Sequence, residues 1–171
     1  MTATTLPGLD AFEATLARHD SATAALEDWC ASRGIADPAV IQAHKLTTHA
    51  EPVPEQVRAA LRTASGEEVS QRQVRLSCGA VVLSVAWNWY LPARLTPAMN
   101  AALKDSDTPF GKVVAPLRFR RETLETIAGA GKLCPAGTIS THRARLVLPD
   151  GRPLAYLIEC YTAANLALTP P

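Results

Sequence analysis

The sequence lacks most features that would assign a function outright. No apolar run reaches the roughly 18 residues of a membrane span, and the longest, AVVLSVAW, is strand-like. The N-terminus MTATTLPGLDAF has no basic segment leading into an apolar core, so no secretory signal is expected. The four histidines, His19, His44, His49 and His142, show neither H-x-x-x-H nor H-E-x-x-H spacing, which excludes the usual helical metal motif. There is no G-x-S-x-G elbow and no glycine-rich phosphate loop. Cys30, Cys78, Cys134 and Cys160 are far apart with no C-x-x-C pair, which argues against zinc. Nothing indicates export, so these thiols are expected to be reduced and mostly buried. Net charge is +1 and the basic residues are scattered, which speaks against nucleic-acid or membrane electrostatics.

What is present suits a folded chain. A length of 171 residues fits one domain spanning 1–171, long enough for a real core, and 47% hydrophobic residues excludes disorder. Residues 9–18 and 21–33 read as helices: Leu9, Phe12 and Leu16 share one face, as do Ala22, Ala25, Leu26 and Trp29. Asp20 or Ser21 can cap the second helix, and Gly34 can end it. A short strand at 40–46 and a helix at 54–64 follow. Period-two patterning then appears. Residues 72–78 and 80–92 form a hairpin turned at Gly79, and 141–148 with 152–162 form another around Pro149, Asp150 and Gly151. Thr96-Pro97 opens a helix at 97–104, 106–111 is a loop, and 121–130 reads as a helix ended by glycines. The fold class is α+β: a single antiparallel sheet of 72–78, 80–91, 142–148 and 152–162, with helices packed mainly on one face.

Two charges break the apolar pattern. Arg72 shares a strand face with Val74, Leu76 and Cys78. Glu159 interrupts the apolar run AYLIECY and has Ala155, Leu157 and Tyr161 on its own face. An unpaired buried carboxylate is costly. One reading is a structural pair of Glu159 with Arg72 or Arg143. The other is a pair of inward groups on neighbouring strands that line a pocket for an anion carrying a hydroxyl. Trp87 and Trp89 share a face with Val85 and Leu91 and read as core or edge packing.

Several segments, in order, resemble the chorismate lyase family, the enzymes that make 4-hydroxybenzoate for ubiquinone. RQVRL (72–76) is similar to the family's R-x-V/I-x-L strand, and WYLP (89–92) to its strand ending in proline. DTPFG (107–111) is similar to its T-P-L-G loop. RARLVLPDGRPLAYLIECY (143–161) is similar to its R-S-R-L…G-x-P-L…E segment, with Glu159 on the family's glutamate, and HDSAT (19–23) to its E-D-S-M-T helix start. Where the family often has a small residue and an arginine, this chain has Trp87 and Asn88.

The resemblance implies an α+β fold and a cofactor-independent carbon–oxygen lyase that eliminates pyruvate from chorismate. It implies that Arg72 and Glu159 are catalytic. It places the ligand between Arg72, Glu159 and the backbone N–H groups of Ala22 and Phe110. A guanidinium grips a carboxylate in a two-point fork, and a helix N-terminus offers free N–H groups to the same anion. The proton would pass within the substrate, or Glu159 would act as base. No cofactor or metal is needed, since aromatisation drives the reaction. The expected partner is a small aromatic or cyclic carboxylate, with no nucleic acid and no membrane span, bound by a cytoplasmic monomer. The rival is a non-catalytic binding module, because effector domains of some transcription regulators share this fold. The roughly 70 residues ahead of the sheet hold no basic recognition helix, which favours the enzyme.

Overall fold

The computed structural model describes residues 6–46 and 51–167. Six strands form one antiparallel sheet: β1 (Ile41–Lys45), β2 (Ser70–Cys78), β3 (Val81–Tyr90), β4 (Arg120–Ala128), β5 (Ser140–Val147) and β6 (Pro153–Tyr161). Their order across the sheet is β1-β2-β3-β6-β5-β4. Both sequence hairpins are present. Gly79 turns β2 into β3 at φ 58°, and a Cβ there would approach Ala36 to 2.9 Å. The β5–β6 turn is held by the Gly151 amide on the Leu148 carbonyl at 2.8 Å.

The helices are α1 (Leu9–Ala17), α2 (Ala22–Arg33), α3 (Glu55–Leu61), α4 (Pro97–Asp105) and α5 (Phe110–Val113). Capping chemistry sets their ends. Ser21 accepts from the Ala24 amide at 3.2 Å, Thr96 accepts from the Met99 amide at 3.1 Å, and Gly34 closes α2 at φ 61°. On the front of the sheet, α1 and α2 bury Phe12, Leu26 and Trp29 against Val74, Leu76 and Tyr161. Beside them, α4 and α5 bury Leu103 and Phe110 against Leu146 and Leu157. On the back, α3 buries Val57 and Leu61 against Trp89, Tyr156 and Ile158. Helices therefore lie mainly on one face, as the patterning implies. β6 is buried along its whole length because both faces are covered.

Two expectations fail. Residues 121–130 are not a helix; most of them form β4, an edge strand pairing Arg121 with Leu146 and Thr126 with His142. A bulge between Thr123 and Glu125 breaks its alternation. Leu124 and Ile127 then fall three apart, which imitates a helical face, while Leu124 in fact stands 47% exposed. Tertiary pairing with β5 overrides the helix propensity of Arg, Glu, Leu and Ala in this stretch.

Nor are the cysteines free thiols. Cys30 is bonded to Cys78, joining α2 to the end of β2, and Cys134 is bonded to Cys160, joining the loop after β4 to β6. Folding brings together residues 48 and 26 positions apart, which spacing alone does not disclose. Such bonds persist in oxidising compartments, so the cysteines lend the expected cytoplasmic location no support. The purified protein, denatured without reductant, is expected to show no free thiol in a thiol-titration assay. Its urea midpoint should fall on reduction, with about 2–4 kcal/mol lost per bond broken. Titration of all four cysteines without reductant would contradict the pairing.

Candidate functional site

A cavity lies between the front of the sheet and the starts of two helices. Its floor is Val74 of β2, Ala86 and Asn88 of β3, and Leu157 and Glu159 of β6; its roof is Asp20–Thr23 and Phe110–Gly111. In this conformation its free space is only about 30 Å³, room for a water or two, so an organic ligand needs the roof to move. Gly111 makes the roof possible: a Cβ there would stand 2.6 Å from Ser21 Oγ and 3.1 Å from Thr23 Oγ1. Ala22 and Phe110, the first residues of α2 and α5, both line the cavity. The first amide of a helix has no acceptor within its own helix.

Glu159 is 3% exposed and does not stand alone. Arg121, reaching in from β4, meets it with both terminal nitrogens, Nη1 lying 3.2 Å from Oε2 and Nη2 bonding Oε1. Tyr161 donates to Oε1 at 3.1 Å. Burial pushes the Glu159 carboxyl up, and the Arg121 charge with the Arg121 and Tyr161 hydrogen bonds outweighs this, so it ends below the usual carboxylate range. The structural partner is neither Arg72 nor Arg143. It is a residue that the sequence reading assigned to a helix. The Arg121 amide also donates to Asp20 Oδ1 at 3.1 Å, which ties β4 to the start of α2. Close by, Glu13 of α1 takes His142 Nε2 at 2.8 Å and the Ser140 hydroxyl.

Arg72 is the opposite case. It faces the same side of the sheet, across from Asn88, and is 7% exposed. None of its three guanidinium nitrogens has a hydrogen-bond partner among the described residues. Burial lowers its pKa, and the nearby Tyr90 hydroxyl acts the other way. Arginine does not lose its proton in proteins, so the charge stays. Arg72 and Glu159 are not on neighbouring strands, because β3 lies between β2 and β6. Arg72 does not line the cavity; its neighbours Val74 and Asn88 do. Its guanidinium is sealed from solvent just beyond the floor.

Sequence reasoning missed Arg121, Asn88 and Tyr161. The one signal for Arg121 was its alternation with Thr123 ahead of the bulge, too short to outweigh helix formers. Among the described residues no cluster of His, Cys, Asp and Glu has the makings of a metal site. No helix is long and apolar enough to cross a membrane.

No protein-family model matches the chain. The uncharacterized protein y4mC of Sinorhizobium fredii is 34% identical over 182 residues, covering 95% of this chain and 77% of that protein. Among solved structures, PhnF from Mycobacterium smegmatis matches with a TM-score of 0.59 at 13% identity, over 88% of this chain and 67% of that one. The ligand-binding domain assigned to a GntR-family transcriptional regulator from Bordetella bronchiseptica matches with a TM-score of 0.53 at 15% identity, over 72% and 83%. The C-terminal domain of the histidine utilization repressor from Pseudomonas syringae pv. tomato matches with a TM-score of 0.52 at 14% identity, over 77% and 97%. The fold is thus the one shared by GntR-type C-terminal domains and chorismate lyase.

These matches overturn the expected lyase. The similar solved structures are regulator domains, which points away from an enzyme and withdraws the catalytic roles given to Arg72 and Glu159. Elimination of pyruvate from chorismate and a part in ubiquinone synthesis are withdrawn with them. The absence of a recognition helix ahead of the sheet carried no weight, because the shared fold alone serves for binding.

Replacing Glu159 by glutamine tests the ion pair. Losing the carboxylate leaves Arg121 buried and uncompensated, at a cost of about 3 kcal/mol. Because the native pKa of Glu159 is lowered, its contribution is present above the ordinary carboxylate value of roughly 4.3 and is lost as pH falls below it. Urea unfolding of Glu159→Gln should show the lower stability at pH 7 and a weaker decline between about pH 5 and 3. Equal stability at pH 7 would show that the pair contributes nothing.

Proposed function

We propose that this chain, which belongs to the family of the Sinorhizobium fredii protein y4mC, is a binding domain for a small aromatic carboxylate that it holds without converting. The observation that carries this reading is Arg72. A guanidinium more than nine-tenths buried with no hydrogen-bond partner among the described residues is a cost that their packing does not explain. A carboxylate supplies the missing partner in a two-point, charge-assisted fork.

The cavity beside Arg72 offers contacts to the remainder of such a ligand once its roof moves. Leu157, Ala86 and Phe110 offer apolar walls to a ring. The amides of Ala22 and Phe110 and the carboxylate of Glu159 offer polar contacts at its rim, Glu159 accepting from a ring hydroxyl while Arg121 keeps it charged. Because the Arg72 nitrogens are sealed from solvent, the ligand enters by displacing the side chains above them. Binding is therefore coupled to movement of the roof made by the starts of α2 and α5, the coupling a sensing domain uses. Regulator domains among the structural matches support the same reading. A cytoplasmic, monomeric state of the one-domain chain remains part of the proposal.

Calorimetry with 4-hydroxybenzoate, and with benzoate as its simplest analogue, tests it. Arg72→Met keeps most of the volume and removes the charge. It should cost about 2–4 kcal/mol of binding free energy, or roughly 30- to 800-fold in Kd. Arg72→Lys should rescue poorly because it lacks the fork. Without ligand, Arg72→Met should be at least as stable as the parent, since an uncompensated buried charge has gone. Unchanged binding in Arg72→Met would place the anion elsewhere.

A further inference from the structure

The back of the sheet carries a larger hollow than the front. Its free space is about 710 Å³. Its floor is Trp87 and Trp89 of β3 with Ile158 of β6; one wall is the start of α3, and the other is the loop after β4. The sheet separates it from the front cavity. Trp87 faces it while the next residue, Asn88, faces the other side.

Three observations mark this hollow as built. Trp87 and Trp89 stand two residues apart on one strand face with their rings 6.1 Å apart and only 13° from parallel. They are stacked on each other, so a further flat ring can extend the stack. Neither indole N–H has an acceptor among the described residues, although both nitrogens are buried. Trp29, by contrast, donates to the Asn165 carbonyl at 3.0 Å. Buried donors in native proteins are normally satisfied, so two orphans on one strand need a reason.

The loop wall is also held rigidly. Cys134 is bonded to Cys160 of β6, and the Gly131 amide donates to Thr141 Oγ1 at 2.8 Å. At its tip Leu133 takes φ 74°, a conformation leucine rarely adopts, and stands 49% exposed at the rim of the hollow. An apolar side chain held out at a backbone cost, half uncovered among the described residues, has the form of a clamp.

The charges narrow the ligand class. Arg143 is already engaged, with Nε 2.8 Å from the Tyr156 hydroxyl and Nη1 2.7 Å from Glu125. Glu51, Glu55 and Lys132 are exposed at the rim, where water screens them. The floor therefore offers stacked indole rings, two unmatched N–H donors that a ligand reaches when a ring turns, and no unpaired charge among its described residues. We propose that this hollow is a second binding site, for a neutral, flat aromatic molecule with a hydrogen-bond acceptor on its edge.

Coumarin has that chemistry and serves as the probe. The full chain, labelled with 15N at tryptophan, gives three indole N–H signals, one for each tryptophan. On titration with coumarin the signals of Trp87 or Trp89 should shift saturably while that of Trp29, already bonded, stays in place. Trp87→Phe, which keeps a ring but removes one donor, assigns the signals. Leu133→Gly suits the local φ, so it preserves the fold, and it should weaken coumarin binding by about fivefold or more through loss of the leucine contact. The proposal is overturned if none of the three signals moves, if Trp29 moves as much as the other two, or if Leu133→Gly binds coumarin as tightly as the parent.

Discussion

The fold is organised around charge that it cannot afford to leave uncompensated. Three charged side chains, Arg72, Arg121 and Glu159, point into the front of a sheet roofed by apolar helices. Arg121 and Glu159 neutralise each other, and Tyr161 completes the hydrogen bonding. That pair ties the edge strand β4 to the central strand β6, and the Arg121 backbone extends the tie to Asp20 before α2. The pair and this backbone bond thus join the apolar packing of α2 and α5 in holding the cavity roof. Among the described residues Arg72 is the buried guanidinium left without a hydrogen-bond partner.

The same arithmetic separates this account from the one its sequence invites. A lyase reading assigns Glu159 and Arg72 as a working couple. In the structure Glu159 already has its own arginine, and Arg72 lies two strands away across β3. A domain that binds and reports needs only a fixed site, a displaced partner and a roof that moves. A fold can serve either purpose, and the site decides between them.

Much of the architecture was legible. Alternation in 72–78, the apolar run of 152–162 and the turn residues Gly79 and Gly151 marked the two hairpins, since β2 shows one face to the helices and β6 is covered on both. Ser21 and Gly34 marked the ends of α2 in the same way. Arg72 and Glu159 stood out because charge on an apolar face is expensive. β4 was hidden because a bulge at Thr123 and Glu125 destroyed its alternation and an edge strand need bury little. Its loss also hid Arg121, and with it the true partner of Glu159. The disulfides were invisible for a different reason: pairing depends on three-dimensional proximity, and widely spaced cysteines carry no trace of it. Trp87 and Trp89 were read as packing. They are that in part, but their parallel rings and unmatched N–H groups appear only once β3 is placed in the sheet.

The central claim is that Arg72 waits for a carboxylate. The most direct measurement is thermal unfolding of the unmodified chain in the presence of benzoate and, separately, of benzamide at the same concentrations. The two share ring and shape but differ in charge, and a ligand that binds only the native state raises the melting temperature according to its affinity. The account predicts that benzoate raises it in a concentration-dependent way and that benzamide does so far less. Equal shifts with both, or none with benzoate at concentrations that saturate weak aromatic sites, would contradict it.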